Sequence, residues 1–188
     1  MAGKMFSHEK AEKLLDPKRQ ETVPVEEVIR LLDLNGDEKV IELGAGNGYL
    51  TIPIAKETSD RVTAVDIQPE MLEMLAERSE AAGISNIDRM PSGVDRLNFP
   101  DGSFQRALAA FVLHEVPKLD QTLQEVYRIL PEHGMFLVLD WEKVEADQGP
   151  PLHERIPSED LAHEVEQAGF SVKVGKLNKD VYFIVATK

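Results

Sequence analysis

The residues with the clearest chemical potential lie between positions 40 and 66. An apolar run, Val40-Ile41-Glu42-Leu43, opens into Gly44-Ala45-Gly46-Asn47-Gly48, with glycine at alternate positions. Glycine so spaced after a strand either lets main chain approach a ligand closely or only permits a tight strand-to-helix turn. The spacing is G-x-G-x-G, one residue short of the G-x-G-x-x-G that seats a pyrophosphate on a helix N-terminus. The loop holds no Lys or Arg, and Glu42 stands just before it. A carboxylate there repels a pyrophosphate and attracts an ammonium or sulfonium. A second acid, Asp66, ends the run Val62-Thr63-Ala64-Val65. It is placed to accept hydrogen bonds from the two hydroxyls of a ribose. His114, beside Glu115, follows the next apolar run and is the candidate general base if an acceptor must lose a proton. Its competing role is a hydrogen-bonded histidine that fixes the loop.

These residues need a frame, and the alternation of the chain supplies one. Strands are expected over residues 39–43, 61–65, 86–90, 104–111 and 135–141, with helices over 49–57, 69–82, 119–130 and 159–168 between and after them. Pro69 opens one helix and Gly83 lies beyond its end. Residues 170–177 and 181–187, joined by Asn178-Lys179-Asp180, read as a terminal hairpin. Ahead of the alternation, helices are expected over residues 7–15 and after Pro24, the latter ended by a turn at Asn35-Gly36-Asp37. The pattern predicts a doubly wound α/β sheet with helices on both faces. Ligands bind such sheets beyond the carboxyl ends of the strands, where Gly44 to Gly48 falls. We expect one domain over 1–188: an N-terminal helical cap over 1–35 and a Rossmann-like core over 36–188.

Composition narrows the partners. The chain of 188 residues has 34 acidic and 21 Lys/Arg side chains, a net charge of −13. That balance argues against nucleic acid and against an anionic membrane surface. There are no cysteines, which removes disulfides, thiolate nucleophiles and Cys-type metal sites. The five histidines show no i, i+4 pair, so no metal is expected. No secretory signal or membrane-length apolar run is visible, and a cytoplasmic location is the expectation. Nothing in the sequence specifies an oligomeric state.

Taken together, Glu42 to Gly48, Ala64-Val65-Asp66-Ile67, the stretch Phe99-Pro100-Asp101-Gly102-Ser103-Phe104 followed by Phe111-Val112-Leu113-His114-Glu115-Val116, and residues 123–134 resemble a class I S-adenosylmethionine-dependent methyltransferase. Leu15-Asp16-Pro17-Lys18-Arg19, Val138-Leu139-Asp140-Trp141 and Gly149-Pro150-Pro151 add a likeness to a small bacterial subgroup of the type 11/25-like family. The resemblance implies a seven-stranded mixed sheet of order 3-2-1-4-5-7-6 with the last strand antiparallel, S-adenosyl-L-methionine as cofactor, and methyl transfer to a small-molecule acceptor. It implies that the backbone of Gly44, Ala45, Gly46, Asn47 and Gly48 passes the methionine part, with Glu42 near its amino group. Asp66 would take the ribose, Ile67 would pack on adenine, and Ala110 and Phe111 would close the methionine side. The acid that the family often places after strand 3 is replaced by Gly93-Val94, leaving their backbone or Asp95 for the adenine amino group. Tyr49, Trp141 and His153 are candidate acceptor contacts, as is Phe6. Two alternatives stay open: an NAD(P)-dependent oxidoreductase and a non-catalytic S-adenosylmethionine-binding protein.

Overall fold

The computed structural model describes Asp16 and residues 18–188. The helix expected over 7–15 and the Phe6 contact lie outside the described residues. Seven strands form one sheet in the order β3-β2-β1-β4-β5-β7-β6, as the resemblance implied. Strands β1 (Val40–Leu43), β2 (Val62–Asp66), β3 (Ile87–Pro91), β4 (Arg106–Ala110) and β5 (Met135–Trp141) pair in parallel. The hairpin of β6 (Ser171–Lys176) and β7 (Val181–Thr187) returns antiparallel beside β5. β1 and β2 are buried along their whole length, the pattern of strands covered on both faces.

The helices are α1 (Lys18–Thr22), α2 (Val25–Leu32), α3 (Thr51–Glu57), α4 (Pro69–Ala81), α5 (Leu119–Ile129) and α6 (Ser158–Gln167). Strand alternation sends successive side chains to opposite faces, and the core divides accordingly. Ile41, Ala107, Ala109, Phe136 and Val138 pack with Leu123 and Val126 of α5 and Leu161 and Val165 of α6. Val40, Leu108, Leu137 and Leu139 pack with Val28 and Leu32 of α2 and Ile54 of α3. Ala64 meets Leu72 and Leu75 of α4 on that second face. By the same parity Glu42, Asp66 and Trp141 belong to the α2–α4 face, and Asp140 to the α5–α6 face.

Three local outcomes differ from the sequence reading. α2 stops at Asp33, which takes a left-handed φ of 48° and donates its N–H to the Arg30 carbonyl, two residues ahead of the expected turn. α1 is a five-residue helix with no amphipathic period long enough to read. β4 begins at Arg106, because Phe104 already leaves the sheet to pack in the core. No helix among the described residues is long and apolar enough to cross a membrane.

Candidate functional site

The loop after β1 turns on Gly44, Gly46 and Gly48, with φ of 69°, 53° and 83°. Two of these glycines answer to the protein itself. A Cβ on Gly44 would lie 2.7 Å from Val112 Cγ2, and one on Gly48 would lie 2.1 Å from Leu75 Cδ1. The first lets the turn after β4 close over the loop, and the second seats α4. The N–H groups of Gly44 and Ala45 donate to the Val65 carbonyl at 2.8 and 3.0 Å, which binds the loop to the end of β2.

Two carboxyl groups flank this loop. Asp66 Oδ2 accepts the Gly46 N–H at 2.8 Å, and Oδ1 accepts the Gln68 N–H at 2.9 Å. Backbone donors fix the carboxylate in place, and it keeps acceptor capacity for hydroxyls. Burial raises its pKa, against the pull of those backbone donors. Ile67 beside it is 55% exposed, a large apolar side chain left open at the mouth. Glu42 is buried and accepts the hydroxyl of Thr51 on α3. Burial pushes its pKa up to about 8; the Thr51 bond opposes this, Asp66 adds to it, and the more distant Arg19 opposes it weakly. A buried acid held this high is a ready partner for a cationic ligand group.

Around these acids the expected contacts divide. Asn47 is buried, and the Arg78 guanidinium donates to its carbonyl. Gly93 and Val94 are partly exposed, and Lys118 Nζ lies 4.0 Å from Asp95 Oδ2. Ala110 ends β4, and Phe111 takes a left-handed φ of 60° while donating its N–H to the Leu139 carbonyl at 2.8 Å. A bulky aromatic in that region is strained backbone, of the kind that gathers at functional sites. The Tyr49 hydroxyl donates to the Val23 carbonyl, and its ring lies under the Arg19 guanidinium at 4.8 Å.

His114 and the acceptor contacts do not come together. His114 is buried, with Nδ1 at 2.7 Å from Asp140 Oδ1 and Nε2 at 3.7 Å from Glu115 Oε1. Burial alone would lower its pKa; the bond and charge of Asp140, helped by Glu115 and Glu154, outweigh it and raise the pKa. Asp140 faces the α5–α6 side, whereas Trp141, the next residue, faces Phe111 with ring centroids 5.1 Å apart. His153 stands 80% exposed in the short turn Leu152–Glu154.

Sequence reasoning missed Arg19 and Arg155. In sequence Arg19 is half of an isolated Lys-Arg pair within a subgroup motif, and nothing in its neighbours shows that its side chain turns inward. Arg155 donates to the carbonyls of Glu142, Val144, Gln148 and Pro150, and so pins the segment after β5. That segment lies flat on Trp141: a Cβ on Gly149 would meet Cδ2 of the indole at 2.7 Å.

A doubly wound sheet of this order, with a glycine turn between two preset carboxylates at its switch point, defines a class I S-adenosylmethionine-dependent methyltransferase. Comparison with known proteins agrees. The family model described as "Methyltransferase domain" matches residues 40–134, half of the chain. The chain belongs to this methyltransferase-domain family, and its cofactor is S-adenosyl-L-methionine. It resembles the solved structure of a SAM-dependent methyltransferase from Aquifex aeolicus, at 27% identity and a TM-score of 0.91, covering 97% of this chain and 99% of that one. Curated relatives include the ubiquinone/menaquinone biosynthesis C-methyltransferases UbiE of Rickettsia bellii and Rhizobium meliloti. These are 30% identical over 116 residues and 32% over 112, each covering 58% of this chain. The matches cover 47% and 43% of those relatives, so the chain spans about half the length of the curated proteins it matches. The [4+2]-cyclase SpnF, at 17% identity and a TM-score of 0.80 over 88% of this chain and 79% of that one, shares the fold alone.

The residues present fit the donor. Glu42 would hold its ammonium end and Asp66 its ribose. One consequence is measurable. With its pKa raised to about 8, Glu42 should carry a proton at pH 7 in the free protein, and pairing with a cation would displace it. Calorimetry with S-adenosylhomocysteine in buffers of different ionisation heat should show release of about one proton at pH 6–7 and almost none at pH 9. Glu42→Gln should abolish the difference. Free of ligand, the fold should lose stability as pH rises from the ordinary glutamate range through about 8, because only the folded state keeps this proton there.

Proposed function

We propose that this chain methylates a small-molecule acceptor that enters beside α1, between the end of β4 and the segment after β5. The observation that carries the reading is the position of Arg19, whose guanidinium lies over Tyr49 and, at 5.6 Å, over Phe111, next to the cavity that Trp141 lines. Its charge also reaches Glu42, so cavity and donor mouth are neighbours on one face of the sheet. The UbiE relatives are described as C-methyltransferases, which supports a small organic acceptor as the class to test.

Bound S-adenosylmethionine supplies an electrophilic methyl carbon on a positively charged sulfur, whose bonding pair returns to that sulfur. The chain's own task is placement, which in favourable cases lowers a barrier by ~7–11 kcal/mol. Gly44 to Gly48, with Ala110 and Phe111, shape the donor side. Ile67, Gly93, Val94 and Asp95 flank the adenine side. In this reading Tyr49 and Trp141 wall the acceptor side, and exposed His153 is a candidate contact at its edge. His114 enters as a positioning residue: its bond to Asp140 ties the turn after β4 to the end of β5. The catalytic role expected of it would require Nε2 to turn from Glu115 toward the acceptor. In this reading 1–188 is one domain and 1–35 its cap, supported by the bond from Asn178 Nδ2 to the Thr22 carbonyl at 2.9 Å. The setting is cytoplasmic, and the acidic surface disfavours nucleic acid.

The test is binding followed by turnover. Titration with S-adenosylmethionine should give saturable heat and titration with NADH none. A panel of small acceptors with a labelled methyl donor should then yield methylated product. Binding of NADH alone would assign the site to an oxidoreductase. Donor binding without turnover across a broad panel would support the non-catalytic alternative.

A further inference from the structure

Three stretches tied to the subgroup likeness have no role in holding the donor: the segment at Asp16 to Arg19, Trp141 at the end of β5, and the Gly149-Pro150-Pro151 turn. In the fold they converge. Asp16, Lys18 and Arg19 form one wall of a cavity of about 300 Å³, with Phe111 and Trp141 opposite and Gln148, next to Gly149, closing it. A cavity of that volume suits a small organic ligand.

The walls specify the ligand's chemistry. Phe111 and Trp141 offer aromatic surface, and strained backbone holds the first ring against the second. Trp141 cannot retreat, since Gly149 lies on its ring and the Arg155 guanidinium sits 5.6 Å from it. Among the described residues, the charged side chains lining the cavity are two cations and one acid, in a chain of net charge −13. Asp16 is exposed and already accepts the Lys18 N–H at 2.9 Å. Arg19 is directed inward, and its buried Nε has no hydrogen-bond partner among the described residues. A buried guanidinium N–H left unpaired costs free energy that an anionic ligand group would recover.

Resting on the methyltransferase reading above, we propose that the acceptor is a planar aromatic anion, bearing a carboxylate or phenolate, whose ring lies against Phe111 and Trp141 and whose negative group is received by Arg19. This makes Arg19 a specificity-determining residue. An uncharged aromatic of the same shape fills the cavity but offers the guanidinium at most a neutral, weaker acceptor.

Trp141 is the only tryptophan in the chain, so its indole N–H gives one resonance in ¹H–¹⁵N spectra and reports on this cavity directly. The probes are 2-naphthoate and its neutral counterpart 2-naphthamide, titrated into protein saturated with S-adenosylhomocysteine. Naphthoate should shift the indole resonance and bind about tenfold or more tightly than naphthamide, the worth of one charge-assisted hydrogen bond. Arg19→Gln should erase that preference while affinity for S-adenosylhomocysteine stays within about threefold, a change under 1 kcal/mol. Equal binding of the two probes, no indole shift with either, or a preference that survives Arg19→Gln would overturn the proposal. Loss of S-adenosylhomocysteine affinity in Arg19→Gln with the probe preference intact would also overturn it, and would move Arg19 to the donor. Failure of the wild-type protein to bind S-adenosylhomocysteine would instead sink the methyltransferase reading.

Discussion

Asp66→Ala should weaken binding of S-adenosylhomocysteine about a hundredfold while leaving the fold nearly intact. The carboxylate is preset by the Gly46 and Gln68 N–H groups, so a ribose meets two fixed acceptors without paying to order them. Hydrogen bonds to a charged partner contribute about 1.5–3 kcal/mol each, and water recovers part of that in the truncated site. The same substitution removes a buried acid whose charged form burial disfavours, which offsets the backbone donors left without an acceptor. The net cost to folding should be about 1 kcal/mol, or a fall in melting temperature of about 2–4 °C. Isothermal titration and thermal unfolding on the same preparation separate the two effects. Unchanged affinity would remove Asp66 from the donor site; a collapse of the fold would make it chiefly a structural acid.

Gly48→Ala should have the larger effect on stability. The residue sits at φ +83°, where an L side chain is strained by about 1–2 kcal/mol. Its Cβ would also fall 2.1 Å from Cδ1 of Leu75, a fully buried side chain of α4. Overpacking of that kind costs about 1–3 kcal/mol. Together they predict a loss of about 2–5 kcal/mol, read as a shift in the urea midpoint with little change in slope. Gly83→Ala is the matched control: its φ is +70°, yet an added Cβ meets nothing within 4 Å, so only the backbone strain remains. Equal losses at the two positions would show that the contact with Leu75 is immaterial.

The glycine loop shows both how far the sequence carried and where it stopped. Strand, turn and acid were legible because each has a local cause: an apolar run, a left-handed backbone and a side chain at a strand end. The sheet order followed from the family likeness and from the short hairpin at the carboxyl end. Glycine itself, however, does not say what comes close to it. The spacing leaves open whether a ligand or only a tight turn needs these glycines, and it does not show that Val112 and Leu75 lie where a Cβ of Gly44 or Gly48 would fall. His114 was legible as a histidine after β4, but not the side to which its ring turns. That depends on Asp140, 26 residues away, and on the parity of β5. Arg19 was hidden for a related reason. A cation in a five-residue helix after a proline looks solvated until Tyr49 and Phe111 are placed beneath it. Long-range contacts of this kind leave no period in the sequence.

Reception of the methyl donor by Asp66 and Glu42, at the mouth between β1 and β2, is the interaction on which the other predictions depend. A crystal structure of the protein with S-adenosylhomocysteine measures this most directly. It should show both ribose hydroxyls within hydrogen-bond distance of Asp66, the amino group facing Glu42, and adenine against Ile67. A ligand bound elsewhere, or a mouth left empty at saturating ligand, would contradict it.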